Sequence, residues 1–405
     1  MKKTYIDTAM ERIAPDLILK GGNVVDVFSG RVIKADVIIK DGIICGVGSY
    51  SGENEQDVSG KYIMPGFIDS HVHIESSMTQ PSEYAKAVMP HGITTVIADP
   101  HEITNVCGED GLEFMLKSAK NIPLDVNLML PSCVPATPFE HTGANLDAKT
   151  TQKLAPKFFG IGEMMNYPGI VSGDDETLGK LCLDIVDGHA PLLSGHELDA
   201  YASAGIKTDH ECSVIEEMTE KISKGMYILL REGTLSLDVA KLIKGVTPYT
   251  LRRCAFCTDD RFVGEIIRDG SIDHCIRKAV SLGLSNIDAI IMATLNACEM
   301  YGMKNKGAIA PSYVADIVVA DDLNLSSISQ VYKNGKLVCE NGKALFECET
   351  VDNSKVTNTV HLPKISDDFF KTDVKDKFDA IELIPESIIT KKVTVSYSDS
   401  LSKVC

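Results

Sequence analysis

Hydrophobic and polar positions alternate along this chain in two rhythms. From Asp16 to about Val47, short runs rich in Ile and Val are cut by Gly-containing turns: DLILKGG, NVVDVFSG, ADVIIKDG, IICGVG. Such runs between turn residues predict a small antiparallel β unit. The same texture returns between Ala315 and Lys343, in ADIVVADD and ISQVYKNGKLVCENGK. Two remote segments of matching character predict one small β-sandwich domain, built from residues 1–64 and 309–349.

Residues 65–308 follow another rhythm. Short apolar strands alternate with amphipathic stretches: SEYAKAVMPHG, DGLEFMLKSAK, SVIEEMTEKISKG, SLDVAKLIKG, IDHCIRKAVSLG and NIDAIIMATLNACEMYG. Strands separated by helices mean βα units and a parallel sheet. Candidate strands end at His71/His73, Asp99, Ser132, Glu163, His189, His210, Arg231 and Asp259, and several successive marks lie about 21 to 30 residues apart. That spacing suits one βα unit each and predicts an α/β fold, a (β/α)8 TIM-type barrel. A doubly wound open sheet would bring a Gly-rich phosphate loop, and neither G-x-G-x-x-G nor G-x-x-x-x-G-K occurs. Residues 350–405 turn polar and irregular and read as a linker and a small fragment.

Composition narrows the class without changing this picture. The 405 residues hold 44% hydrophobic and 24% charged side chains, an ordinary globular balance. The net charge of −17 repels nucleic acid and anionic membranes, so neither is an expected partner. No apolar run is long enough for a membrane span, and the basic N-terminus lacks the apolar stretch of a signal peptide. The 12 cysteines are scattered, as in a reduced cytoplasmic protein. Cys254 and Cys257 form a C-x-x-C within an apolar strand and read as core rather than as half a zinc site.

Chemistry collects where the apolar strands stop. His71 and His73 are two apart on a strand, so both imidazoles face one side and can share one ion. Glu163, His189, His210 and Asp259 stand at other strand ends. In a barrel those ends converge on one face. Four His and two carboxylates exceed the three protein ligands of a mononuclear catalytic site and suit two divalent ions bridged by a carboxylate. Imidazole with carboxylate favours Zn, Fe or Mn. Asp259 is the candidate to take a proton from the attacking water, with Asp260 its rival. Asp99 and His101 end the second strand and are candidates for substrate binding, for support behind the ligands or for an additional ion; an ordinary loop is the alternative. Arg231 and Glu232 are positioned either to hydrogen-bond a polar heterocycle or to pair with each other.

The segments PGFIDSHVHIESS, TTVIADPHEITNVCG, LPSCVPATPFE, GEMMNYPGI, DGHAPLLSG, AYASAGIKTDHE, REGT and CTDDR together resemble the amidohydrolase superfamily and, within it, the adenine deaminase family. The resemblance runs from near the N-terminus to about Lys343. It implies hydrolysis of adenine to hypoxanthine and ammonia in purine salvage, with two divalent ions, Mn or Fe(II), Zn being an alternative. It makes His71 and His73 the first-strand ligands and places Glu163 where many members carry a bridging carboxylated lysine. His189 and His210 become the fifth- and sixth-strand ligands, and Asp259 the eighth-strand acid. Asp99 and His101 belong to the family's pattern near the site. The alternatives are another amidohydrolase opening a cyclic amide, of the dihydropyrimidinase or dihydroorotase type, or an inactive metal-binding fragment. Adenine deaminases of this type carry a further C-terminal domain, so the resemblance implies that residues 350–405 are a linker and a truncated stub. A homo-oligomer is expected.

Overall fold

The computed structural model describes residues 2–137, 139–366, 377–387 and 389–396. Eight parallel strands form its centre: β1 (Phe67–Val72), β2 (Ile93–Ala98), β3 (Asp125–Leu130), β4 (Gly160–Met164), β5 (Val186–Gly188), β6 (Thr208–Asp209), β7 (Tyr227–Arg231) and β8 (Cys254–Cys257). Each ends within two residues of the polar mark that predicted it. β1, β2, β4 and β8 are buried along their whole length, as expected of parallel strands covered by helices outside and packed side chains inside. Cys254 and Cys257 are among these core residues.

The ring closes in two ways. β1 to β5 and β6 to β8 are two backbone ladders. Between β8 and β1, Val72 bridges Asp259, whose N–H donates to the His71 carbonyl at 3.0 Å. Between β5 and β6, side chains make the seam: the Gly188 N–H donates to Thr208 Oγ1 and the Ala190 N–H to Asp209 Oδ1, both at 2.9 Å. A side chain at Gly188 would run into the Thr208 carbonyl, so only glycine lets β6 come this close. The barrel expected from the sequence is therefore complete.

The intervening helices follow the predicted amphipathic stretches, with one difference. The last stretch is two helices, Asn286–Met292 and Leu295–Met300. Its break frees the Ala293 carbonyl, which accepts the Ile68 N–H at 2.9 Å and ties the helices to β1. Among the described residues no helix is long and apolar enough to cross a membrane.

Strands from before and after the barrel join in one sheet. Tyr62–Pro65 pairs with Leu17–Asp26 on one side and, antiparallel, with Ile317–Ala320 on the other. Because that strand belongs to both halves, the sandwich expected from the sequence is one continuous nine-stranded sheet. Gly66 alone separates it from β1. Where sheet meets barrel, Lys333 holds Asp125 and Asp316 at 2.8 Å each, and Lys306 pairs with both as well.

Of the expected linker and stub at 350–405, residues 367–376, 388 and 397–405 lie outside the described residues. Within the rest, Lys377–Leu383 and Thr390–Ser396 form a separate antiparallel hairpin. Lys355 pairs with Asp110 on the helix His101–Ser118.

Candidate metal centre

His71 is the penultimate residue of β1 and His73 follows its end, so the strand's two-residue period aims both rings into the barrel mouth. Their Nε2 atoms lie 3.1 Å apart. His73 Nδ1 donates to the Asp99 carbonyl at 2.8 Å, leaving Nε2 a bare lone pair. His71 Nδ1 faces the Asp187 carboxylate at 3.5 Å. Asp259 Oδ1 stands 3.1 Å from His73 Nε2 and 4.0 Å from His71 Nε2. Inward-facing imidazole nitrogens and a carboxylate oxygen, all buried, form a cluster short of donors. A divalent cation would satisfy it.

Glu163, near the end of β4, divides the cluster in two. Its Oε1 lies 3.5 Å from His73 Nε2 and 3.3 Å from His101 Nδ1. Its Oε2 lies 2.5 Å from His189 Nδ1 and 3.2 Å from His210 Nε2. Each oxygen thus faces a different set of imidazoles, the arrangement a bridging carboxylate needs. Backbone bonds hold it there: Asp99 Oδ2 accepts the Glu163 N–H at 2.9 Å, and Ser132 Oγ donates to the Glu163 carbonyl at 2.5 Å. Burial disfavours the Glu163 charge, but His189 and then His210 outweigh it and hold its pKa well below the usual range. Burial likewise opposes a charged His189, yet Glu163, then Glu211 and Asp209, push that imidazole up to about 9. The same negative field attracts metal ions.

Asp259 follows β8 with φ at 56°, a backbone conformation uncommon outside glycine and frequent where a site holds a residue under strain. Arg231, at the end of β7, takes its other oxygen: Nη1 donates to Asp259 Oδ2 at 2.7 Å. Nη1 and Nη2 also grip Glu211, while Nε and Nη2 donate to Asp238 at 3.1 and 3.0 Å. All five guanidinium N–H groups are engaged, so none is left for a ligand. Glu232 does not pair with its neighbour, because successive strand residues face opposite ways. It points away from the mouth to Lys278 at 2.5 Å.

The sequence-derived residues therefore separate by position. His71, His73, Glu163, His189, His210 and Asp259 come together, with His101 against Glu163. Asp99 sits buried behind them, and Asp260 is exposed on the rim of the cavity. That cavity, about 530 Å³, opens at the C-terminal ends of the strands, where Met165, Leu235 and Phe262 add apolar walls.

Three residues escaped the sequence reading. Glu211 is buried in the cavity wall beside His189 and His210. Its signal was faint: a carboxylate directly after a candidate ligand. Asp187 faces His71 Nδ1 at 3.5 Å and accepts from the Tyr301 hydroxyl at 3.0 and 3.1 Å. It lies two residues before His189, so strand periodicity was a clue to it. Lys221, wholly buried, donates to the Ala190 carbonyl, Asp209 and Glu217 at 2.7, 3.0 and 2.8 Å, fixing the turns that carry His189 and His210. Its helix had no mark to set it apart.

Comparison with known proteins gives the family and the fold. The amidohydrolase family matches residues 62–338. The chain is 48% identical over 397 residues to an adenine deaminase of Clostridium acetobutylicum, covering 96% of this chain and 70% of that protein. It is 46% identical over 402 residues to adenine deaminase 2 of Desulfotalea psychrophila, covering 97% and 70%. A β-aspartyl dipeptidase from Fervidobacterium islandicum AW-1 shares the fold at a TM-score of 0.59 and 19% identity, covering 83% of this chain and 98% of that one.

Proposed function

The chain belongs to the amidohydrolase family and, within it, to the adenine deaminases, and on that premise we propose that its barrel mouth hydrolyses adenine to hypoxanthine and ammonia. The division of Glu163 between two imidazole sets supports a two-ion site more than any other observation. His71, His73, Asp259 and Glu163 Oε1 would hold one ion; Glu163 Oε2, His189 and His210 would hold the other. When bound, the two ions supply the Lewis acidity that makes water a nucleophile near neutral pH. Imidazole and carboxylate donors suit Mn or Fe(II), with Zn the alternative.

The chain's own residues do the rest. The apolar walls at Met165, Leu235 and Phe262 receive a flat heterocycle and exclude water around it. Asp259, with one oxygen toward the ligand cluster and the other held by Arg231, accepts the proton of the attacking water. Its pKa is held well below the usual range: burial opposes this, but the neighbouring His73, His210 and Arg231 outweigh it. As the oxygen–carbon bond forms and the exocyclic carbon–nitrogen bond breaks, the proton passes to the departing nitrogen, which leaves as ammonia. Asp260, at the rim, is assigned to substrate approach rather than proton transfer. Asp99 and His101 are assigned to holding Glu163 in place.

The test is direct. Protein loaded with Mn should release ammonia and hypoxanthine from adenine. No turnover of adenine, with ring opening of a dihydropyrimidine instead, would replace this reading by a cyclic-amide hydrolase.

A further inference from the structure

We propose that Glu211 is a fourth donor to the second ion. The inference rests on the two-ion reading above and adds one residue to it.

The observation is a set of separations. Glu211 Oε1 lies 3.4 Å from His210 Nε2 and 3.6 Å from His189 Nδ1. Glu163 Oε2 lies 3.2 Å from the same His210 nitrogen and 2.5 Å from the His189 nitrogen. Two carboxylate oxygens thus stand close to the same two imidazole nitrogens. Donors about 2.0–2.2 Å from a four-coordinate ion stand roughly 3.3–3.6 Å apart, which the Glu211 contacts match.

Glu211 also has capacity to spare. The guanidinium of Arg231 donates one N–H bond to each carboxylate oxygen. A carboxylate oxygen accepts two such bonds, so Oε1, the oxygen near both imidazoles, keeps one lone pair. Arg231 thereby acts as a support behind the ligand: it fixes Glu211 and Asp259 together, one beside each ion. Supports of this kind orient ligands throughout metal sites. With Glu211 included, each ion has four protein donors: His71, His73, Asp259 and Glu163 for the first, and His189, His210, Glu163 and Glu211 for the second.

The test is metal titration of the full chain with Mn, read as bound equivalents and as the Mn electron paramagnetic resonance signal, for wild type, Glu211→Gln and Glu211→Asp. Wild type should bind two equivalents. Glu211→Gln should keep the first at unchanged affinity and bind the second at least about 10-fold more weakly, with the altered signal confined to that ion. Glu211→Asp keeps the charge and should fall between the two; it also serves if the Gln variant is recovered unfolded. Two equivalents at wild-type affinity in both variants, with only KM for adenine raised, would overturn the proposal and make Glu211 a substrate acceptor. A wild type that binds fewer than two ions would instead overturn the two-ion reading itself.

Discussion

The carboxyl group of Asp99 occupies the space that a side chain at Gly162 would need. A Cβ built on Gly162 overlaps the Asp99 carboxyl carbon and both its oxygens, and from there Oδ2 accepts the Glu163 N–H at 2.9 Å. Glycine at 162 is therefore a condition for the position of the bridging glutamate. Gly162→Ala must push Asp99 or β4 aside, at a cost of about 1–3 kcal/mol for overpacking a dense core. The expected outcome is a lowered melting temperature together with weaker binding of both ions, measured by thermal unfolding and metal titration.

Asp259→Asn should separate binding from proton transfer. The amide oxygen can still meet an ion, and three donors remain on that side, but the group no longer takes a proton. We expect two bound ions and a kcat reduced by about 10²–10⁴. Steady-state kinetics beside elemental analysis decide it; a variant that lost one ion would show that Asp259 serves mainly as a ligand.

Arg231→Met should be costly for stability. It strips the shared cation from Glu211, Asp238 and Asp259, all buried. Uncompensated buried charge of this kind costs about 3–5 kcal/mol. Arg231→Lys should rescue only part of it, because an ammonium has three donors where the fork uses five. Denaturant unfolding at neutral pH measures both.

Asp187→Asn keeps the shape but removes the negative charge that faces His71 Nδ1 at 3.5 Å. Loss of such an outer partner typically weakens a metal site about 10–100-fold. The weakening is expected at the His71/His73 ion alone, with the second ion unchanged, which titration resolves.

The clamp between sheet and barrel should show in acid. Burial opposes the charged form of Asp125, but Lys306 and Lys333 outweigh it and hold its pKa below 3.8. A carboxylate whose folded pKa is lower than its unfolded one stabilises fully above the unfolded value and loses that contribution as pH falls through the folded value. Stability should therefore be intact at neutral pH and fall as pH drops below about 4. Asp125→Asn should flatten that dependence in melting curves taken across pH.

Much of the site was legible before folding. Short apolar runs ending in polar residues located all eight strands, and the two-residue spacing of His71 and His73 set both rings on one side of β1. Barrel topology did the rest for Glu163, His189, His210 and Asp259, because strand ends far apart in sequence must share one mouth. Arg231 and Glu232 were noticed but left between two roles; Glu211, Asp187 and Lys221 were not noticed. Partners of theirs lie far along the chain, Asp209 12 residues from Lys221 and Tyr301 114 residues from Asp187. Composition and period carry no trace of such pairings.

The sequence by itself determined the fold class, the strands and the set of inward-facing donors, because these follow from local periodicity and from a βα repeat that carries no phosphate loop of an open sheet. Only the tertiary structure decided which oxygen of Glu163 faces which imidazoles, that Arg231 is spent on Glu211, Asp238 and Asp259, and that Glu232 points away. Those outcomes depend on distances of a few ångströms between side chains from different strands. They are settled when the ring closes and every buried charge must find its partner.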